Sequence, residues 1–192
     1  MTGRVMEIVN REPNDVAVAA LEIAPEATVL EIGCGPGVAL AQMAVAATNG
    51  LVIGLDASPE MLRQAARRNR SAIESGRVKL ALGTFERLPF DADSIDRVFA
   101  VNVAYFFSAS DELREVHRVL RPGGRLVIYA TDRMTMSRWK FAGPDTHNLV
   151  DANSLAAALG AAGFDPQHTE IRKLTFRFNV SGLLTISQKP VA

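Results

Sequence analysis

The chain has 192 residues, 48% of them apolar, enough to bury one sizeable core but cramped for two full domains. Lys plus Arg number 21 and Asp plus Glu also number 21, so there is no net field to hold nucleic acid or an anionic membrane across a whole face. A single cysteine, Cys34, excludes an intrachain disulfide and a thiolate metal cluster.

Met1 to Asn14 carries Arg4, Glu7, Arg11 and Glu12 without a long apolar stretch, so it does not read as a secretory signal. No run reaches the length of a transmembrane helix. A cytoplasmic protein with no membrane insertion is the expectation. Residues 16–23 read as an apolar helix ending at Ala24-Pro25, and Thr28 to Ile32 is a short β-rich run that stops at a glycine cluster. Residues 38–47 then read as a largely buried helix, and Gly50 to Leu55 as a second strand ending at Asp56.

Ser58-Pro59 places an N-cap before a proline at the first helical position, and Met61, Leu62, Ala65 and Ala66 give that helix an apolar stripe running toward Ser75-Gly76. Arg67, Arg68 and Arg70 fall on its polar face, where solvation accounts for them. Val78 to Leu82 and Ile95 to Val101 are the third and fourth strands. A helix from Asp111 to Leu120, capped by Ser110, places Leu113, Val116, His117 and Leu120 on one face. Arg121-Pro122-Gly123-Gly124 stops it, and Arg125 to Ala130 is the fifth strand.

Asp132 to Val150 is irregular and long for a connection, and it opens beyond the carboxyl end of a strand, where open α/β sheets bind ligands; it is the candidate substrate loop. Ser154 to Ala162 is a helix ending at Gly163, and Glu170 to Arg177 with Val180 to Ser187 form a hairpin. The pattern is an α/β fold of five parallel strands plus an edge hairpin, in one domain over residues 1–192. The apolar Leu174, Phe176, Phe178 and Val180 either complete the monomer's sheet or offer a face to a second copy in a homodimer.

Glu31-Ile32-Gly33-Cys34-Gly35-Pro36-Gly37 follows a strand and opens a helix, so the backbone can bend tightly and approach a ligand. Asp56 stands 21 residues after Gly35 at the next strand end, where a carboxylate can accept both hydroxyls of a ribose. Gly83-Thr84-Phe85-Glu86 and Leu88-Pro89-Phe90 offer an apolar wall with polar groups at its edge, suited to adenine. The third glycine of a dinucleotide fingerprint is replaced by Val38, and no Lys or Arg in the turn meets a pyrophosphate.

At these residues the chain resembles the class I S-adenosylmethionine-dependent methyltransferases, in particular the small bacterial branch of ubiquinone/menaquinone-biosynthesis type. The resemblance rests on four ordered motifs: Val29 to Gly37, Gly54-Leu55-Asp56-Ala57-Ser58, Leu88-Pro89-Phe90, and Arg118 to Leu126. It is close over residues 15–130. It implies a doubly wound seven-stranded, mostly parallel sheet of order 3-2-1-4-5-7-6, strand 7 antiparallel, with helices on both faces. It also implies S-adenosyl-L-methionine as cofactor, faced by Glu31, Gly33, Cys34, Gly35, Gly37, Asp56, Ala57, Thr84, Phe85, Glu86 and Asn102. Glu31 and the backbone near Gly33 and Gly35 take the methionyl part and Asp56 the ribose. Thr84 stands where the family commonly has an aspartate for the adenine amino group, which leaves that contact to the Phe85 backbone or to Glu86. Residues 1–24 become an N-terminal cap, with Asp15 to Ile23 closing over the methionyl end.

Methyl transfer needs the nucleophile, methyl carbon and sulfur in line, which positioning alone can supply, so no triad is expected. Asn102 and Tyr105, just after the fourth strand, and His147, in the irregular loop with an imidazole that titrates near neutrality, are the catalytic candidates. Trp139, Phe141 and Met134 or Met136 are candidates to line an apolar acceptor pocket or lid; the alternative for Trp139 is that it anchors the loop onto the domain. His117 reads as a packing residue, His168 has no constellation around it, and the dispersed histidines make no metal site. The expected activity is methylation of a small-molecule acceptor; the alternative is a cofactor-binding regulatory or scaffold protein with little transferase activity.

Overall fold

The computed structural model describes residues 3–103, 110–136 and 151–191. Tyr105, Trp139, Phe141 and His147 lie outside the described residues. In chain order the elements are α1 (Gly3–Ala20), β1 (Thr28–Ile32), α2 (Val38–Ala46), β2 (Leu51–Asp56), α3 (Pro59–Arg68), α4 (Arg70–Glu74), β3 (Val78–Leu82) and β4 (Ile95–Val101). They continue with α5 (Ser110–Val119), β5 (Leu120–Thr131), α6 (Arg133–Met136), α7 (Ala152–Ala161), β6 (Thr169–Phe176) and β7 (Val180–Gln188).

The strands form one sheet of order β3-β2-β1-β4-β5-β7-β6. β1 to β5 pair in parallel, whereas β7 runs antiparallel to both β5 and β6. The central strands are apolar on both faces because helices cover both. On one face Ala17 of α1 and Leu21 just beyond its end, with Leu40 and Met43 of α2, pack on Val29, Phe99 and Val127. On the other, Leu113 and Val116 of α5 with Leu155 and Leu159 of α7 pack on Leu30, Val98 and Ile128. Successive residues such as Val29 and Leu30 serve opposite layers, as the two-residue strand period requires. Among the described residues, no helix is long and apolar enough to cross a membrane.

Three sequence expectations shift. The first helix begins at Gly3 and ends at Ala20, with Pro13 inside it. Its end is tied down at the amino-terminal side of the sheet: Arg97 Nε of β4 donates to the Leu21 carbonyl at 2.7 Å and Arg125 Nη1 of β5 to the Ala20 carbonyl at 3.0 Å. The end of the segment Asp15 to Ile23, expected to close over the methionyl end, therefore lies away from the carboxyl edge of the sheet; the earlier turns of α1 run toward that edge, with Glu12 near Arg177 at 3.4 Å, ahead of β7. The helix after Ser58 breaks at Asn69, whose buried side-chain amide donates to the Gly37 carbonyl at 2.9 Å and the Ala65 carbonyl at 3.0 Å. The fifth strand starts at Leu120, because Leu120 pairs with Ile95, and the following Gly123 and Gly124 exchange backbone bonds with Lys189.

Candidate functional site

The turn between β1 and α2 holds three left-handed residues in five, with φ of 66° at Gly33, 52° at Gly35 and 74° at Gly37. Side chains rarely adopt that conformation, and the surroundings separate the three glycines. A Cβ at Gly33 would lie 2.3 Å from Val103 Cγ1, and one at Gly37 would lie 2.5 Å from Asn69 Nδ2 and 2.9 Å from Ala65 Cβ. At Gly35 it would meet nothing within 4 Å. The outer glycines are packed into the fold, and the middle one borders open space.

Asp56, at the tip of β2, crosses to this turn. Its Oδ2 accepts the Gly35 amide at 2.8 Å, and its Oδ1 accepts the Ser58 amide at 2.8 Å. The parallel pairing of Ile32 with Leu55 brings the two strand ends level, and the Cys34 amide extends it by donating to the Leu55 carbonyl at 3.0 Å. Ala57 is exposed immediately beyond. The Gly83 amide donates to the Asp56 carbonyl at 3.1 Å, which sets the segment after β3 beside the same tip. In that segment Thr84 and Glu86 are exposed, and Phe85 is half-buried against the α5 side of the core. Leu88 is buried, with its amide held by Glu115 at 2.9 Å, and Arg118 holds the Leu88 and Phe90 carbonyls.

Glu31 is 6% exposed, and its Oε2 has no hydrogen-bond partner among the described residues. Burial, and then the negative charge of Asp56, push its pKa up to about 8. Cys34 is buried too, its sulfur turned toward β2 and near the α-carbon of Gly54. Burial and the charges of Glu31 and Asp56 push this thiol well above its ordinary range, so the helix start does not activate it. Only its backbone borders the turn.

Asn102 has a left-handed backbone at φ 55°, and its Oδ1 accepts both the amide and the hydroxyl of Thr131 at 3.1 Å. It ties the carboxyl ends of β4 and β5 together. His117 stacks edge-on against Phe164 with centroids 5.0 Å apart, and burial lowers its pKa. His168 pairs with Asp165 at 3.2 Å. Neither histidine joins the cluster around Asp56. Met136, one of the residues expected to line an acceptor pocket, is buried in the α5-side core.

The structure thus brings Glu31, Gly33, Gly35, Gly37, Asp56 and Ala57 to one sheet edge, with Thr84 and Glu86 beside them. Asn69 and Val103, which pack against the glycine turn, and Thr131, which holds Asn102, were not evident from the sequence. Each acts through a contact more than 25 residues away in the chain.

Residues 29–124 match the model of a family described as a methyltransferase domain. A ubiquinone/menaquinone biosynthesis C-methyltransferase of Geotalea daltonii is 30% identical over 132 residues, 67% of this chain and 56% of that protein. An uncharacterized methyltransferase of Bacillus subtilis, YdaC, is 30% identical over 129 residues, 67% of this chain and 69% of its own length. Across curated relatives of this kind the chain spans from 29% to 69% of the relative's length. Among solved structures, a chain of the Haloferax volcanii complex that contains the Trm112 methyltransferase activator superposes with a TM-score of 0.83 at 22% identity, covering 97% of this chain and 93% of the other. That likeness is one of fold.

Proposed function

This chain belongs to the methyltransferase domain family, and from that premise we propose that it transfers a methyl group from S-adenosyl-L-methionine to a small-molecule acceptor by in-line attack. The observation that carries the reading is the free face of Gly35 beside the Asp56 carboxylate, at the tips of the two adjacent strands β1 and β2. The residues fit the cofactor on two counts: the turn leaves open space at Gly35 where a side chain would sit, and the buried Glu31, which the resemblance sets at the methionyl end, carries an oxygen without a partner among the described residues. When bound, the cofactor supplies an electrophilic methyl carbon on a cationic sulfur.

Asp56 is held by two backbone amides and is therefore pre-oriented to receive the ribose hydroxyls. The backbone around Gly33 and Gly35 and the Glu31 carboxyl take the amino-acid limb. Ala57, the Phe85 backbone and the edge groups Thr84 and Glu86 take the adenine. Asn102 keeps the tips of β4 and β5 in register next to the reacting centre, and the earlier turns of α1 with residues 132–150 cover the acceptor, where Tyr105 orients or polarises it and His147 supplies acid–base chemistry if the acceptor must lose a proton. The small-molecule character of the acceptor is supported by the balanced charge of the chain, 21 basic against 21 acidic residues.

The test is calorimetric titration of dialysed protein with S-adenosyl-L-methionine, for the wild type and Asp56→Ala. One-site binding that weakens strongly in the variant supports the reading, and a folded wild type that does not bind refutes it. Methylated product from a set of phenolic, carboxylic and amine acceptors separates an enzyme from a cofactor-binding scaffold.

A further inference from the structure

Glu31 is a carboxyl group that the fold buries and leaves uncompensated. It sits one residue before the end of β1, and its Oε2 finds no donor among the described residues. Its nearest charged influence is Asp56 of β2, which has the same sign, and the thiol of Cys34 in the glycine turn is the other titratable group coupled to it. Both Asp56 oxygens already accept backbone amides, from Gly35 and Ser58, so Asp56 is not turned toward Glu31 as a partner. An ionised carboxylate in that setting is costly, and the inexpensive state is the protonated acid.

The turn that follows Glu31 borders open space at Gly35, whose amide is held by the same Asp56 carboxylate that acts on Glu31, so the buried acid lies beside the residues that shape the cradle. We propose, resting on the reading of the site given above, that Glu31 is a neutral acid in the free protein and a carboxylate in the cofactor complex, so that uptake of S-adenosyl-L-methionine expels a proton. The amino-acid limb of the cofactor carries a sulfonium, an ammonium and one carboxylate, a net positive charge, and an opposite charge within ~4–6 Å favours the ionised carboxyl. In this step the O–H bond of the acid breaks, its electron pair stays on the carboxylate oxygen, and the proton passes to the buffer.

Glu31 thereby becomes a specificity-determining residue. A cationic occupant converts the acid into a matching charge, whereas an uncharged nucleoside leaves it protonated and gains no such attraction. Burial that holds the group neutral until a cation arrives is consistent with its raised pKa of about 8.

The experiment is a calorimetric titration with S-adenosyl-L-methionine at pH 7 in three buffers of different ionisation enthalpy, for the wild type and Glu31→Gln. The slope of observed heat against buffer enthalpy counts the protons exchanged. The expected result is release approaching one proton per cofactor in the wild type relative to Glu31→Gln. Infrared difference spectra of the wild type provide a readout that does not depend on the variant folding: the carbonyl band of a buried carboxylic acid should disappear when the cofactor binds. Binding with no buffer dependence and no loss of that band overturns the inference while leaving the methyltransferase reading intact. Equal proton release by the two proteins also overturns it. An absence of binding by folded wild type would refute the reading of the site itself.

Discussion

Asp56 and Gly35 are joined across two strands: the carboxylate Oδ2 of one accepts the amide of the other at 2.8 Å. The bond holds the middle of the glycine turn, the part that no side chain packs against, while the opposite carboxylate oxygen fixes the start of the next turn through Ser58 at 2.8 Å. One side chain thus shapes the cradle and presents a charge to it.

Asp56→Ala removes both bonds at once. Hydrogen bonds to a charged acceptor contribute about 1.5–3 kcal/mol each, so the variant should lose on that order in stability and bind S-adenosyl-L-methionine at least about tenfold more weakly. Asp56→Asn keeps the shape but turns one acceptor into a donor facing a backbone N–H, and should fall between the two. Calorimetry and thermal unfolding on the three proteins check the order.

Gly35 and Gly37 make a matched pair of tests because both have left-handed φ but differ in surroundings. Gly35→Ala costs only the conformational penalty of roughly 1–2 kcal/mol, yet places a methyl group in the cradle. It should remain folded and lose cofactor binding. Gly37→Ala adds a collision with Asn69 and Ala65, 2.5 and 2.9 Å away, and overpacking adds about 1–3 kcal/mol. Its melting temperature should fall well below that of Gly35→Ala. Equal stability of the two variants would contradict the assignment of Gly37 to packing.

The five parallel strands, the hairpin and the glycine turn with Asp56 were legible in the sequence because each rests on local pattern: two-residue alternation, a run of small residues, and a carboxylate at a strand end; the order of the strands in the sheet came from the family resemblance. What was not legible depends on distant partners. Pro13 and the polar run from Asn10 to Asp15 interrupt the apolar pattern, so α1 seemed to begin at residue 16, although its position is set by Arg97 and Arg125 holding its far end. Asn69 sat unnoticed in a basic run, because its role comes from the Gly37 carbonyl 32 residues earlier. Asn102 was read as a candidate for chemistry, and its side-chain oxygen proves to be occupied by Thr131 on the neighbouring strand.

The buried acid Glu31 should also appear in the pH dependence of stability. Its folded pKa, about 8, lies above the ordinary value of 4.5, so the folded protein binds the proton more tightly than the unfolded chain. Its contribution is fully present below pH 4.5 and is lost as pH rises through 8. Denaturant titrations of wild type and Glu31→Gln between pH 5 and pH 8 should show the wild type losing ground, by on the order of 1 kcal/mol per pH unit, because each unit of proton linkage is worth about that much. A constant difference between the two proteins across this range would show that Glu31 is not held neutral.

On the sheet face shared with α1, Tyr129 of β5 lies across Gly182 of β7. A Cβ at that glycine would be 2.3 Å from the phenolic oxygen and 2.4 Å from the carbon that bears it. The ring is fully buried and packs edge-on against Phe176 at 5.8 Å, so it has no free side to move into. Gly182→Ala should therefore destabilise by about 1–3 kcal/mol through overpacking, in contrast to the usual gain from replacing a strand glycine. Because Gly182 pairs with Thr131, which meets the Asn102 clamp, the strain is transmitted to the tips of β4 and β5. Gly182→Ala combined with Tyr129→Leu, which replaces the rigid ring by a smaller side chain, should destabilise less than the sum of the two single variants. Additive losses in chemical denaturation would mean that the glycine is required for some reason other than the ring above it.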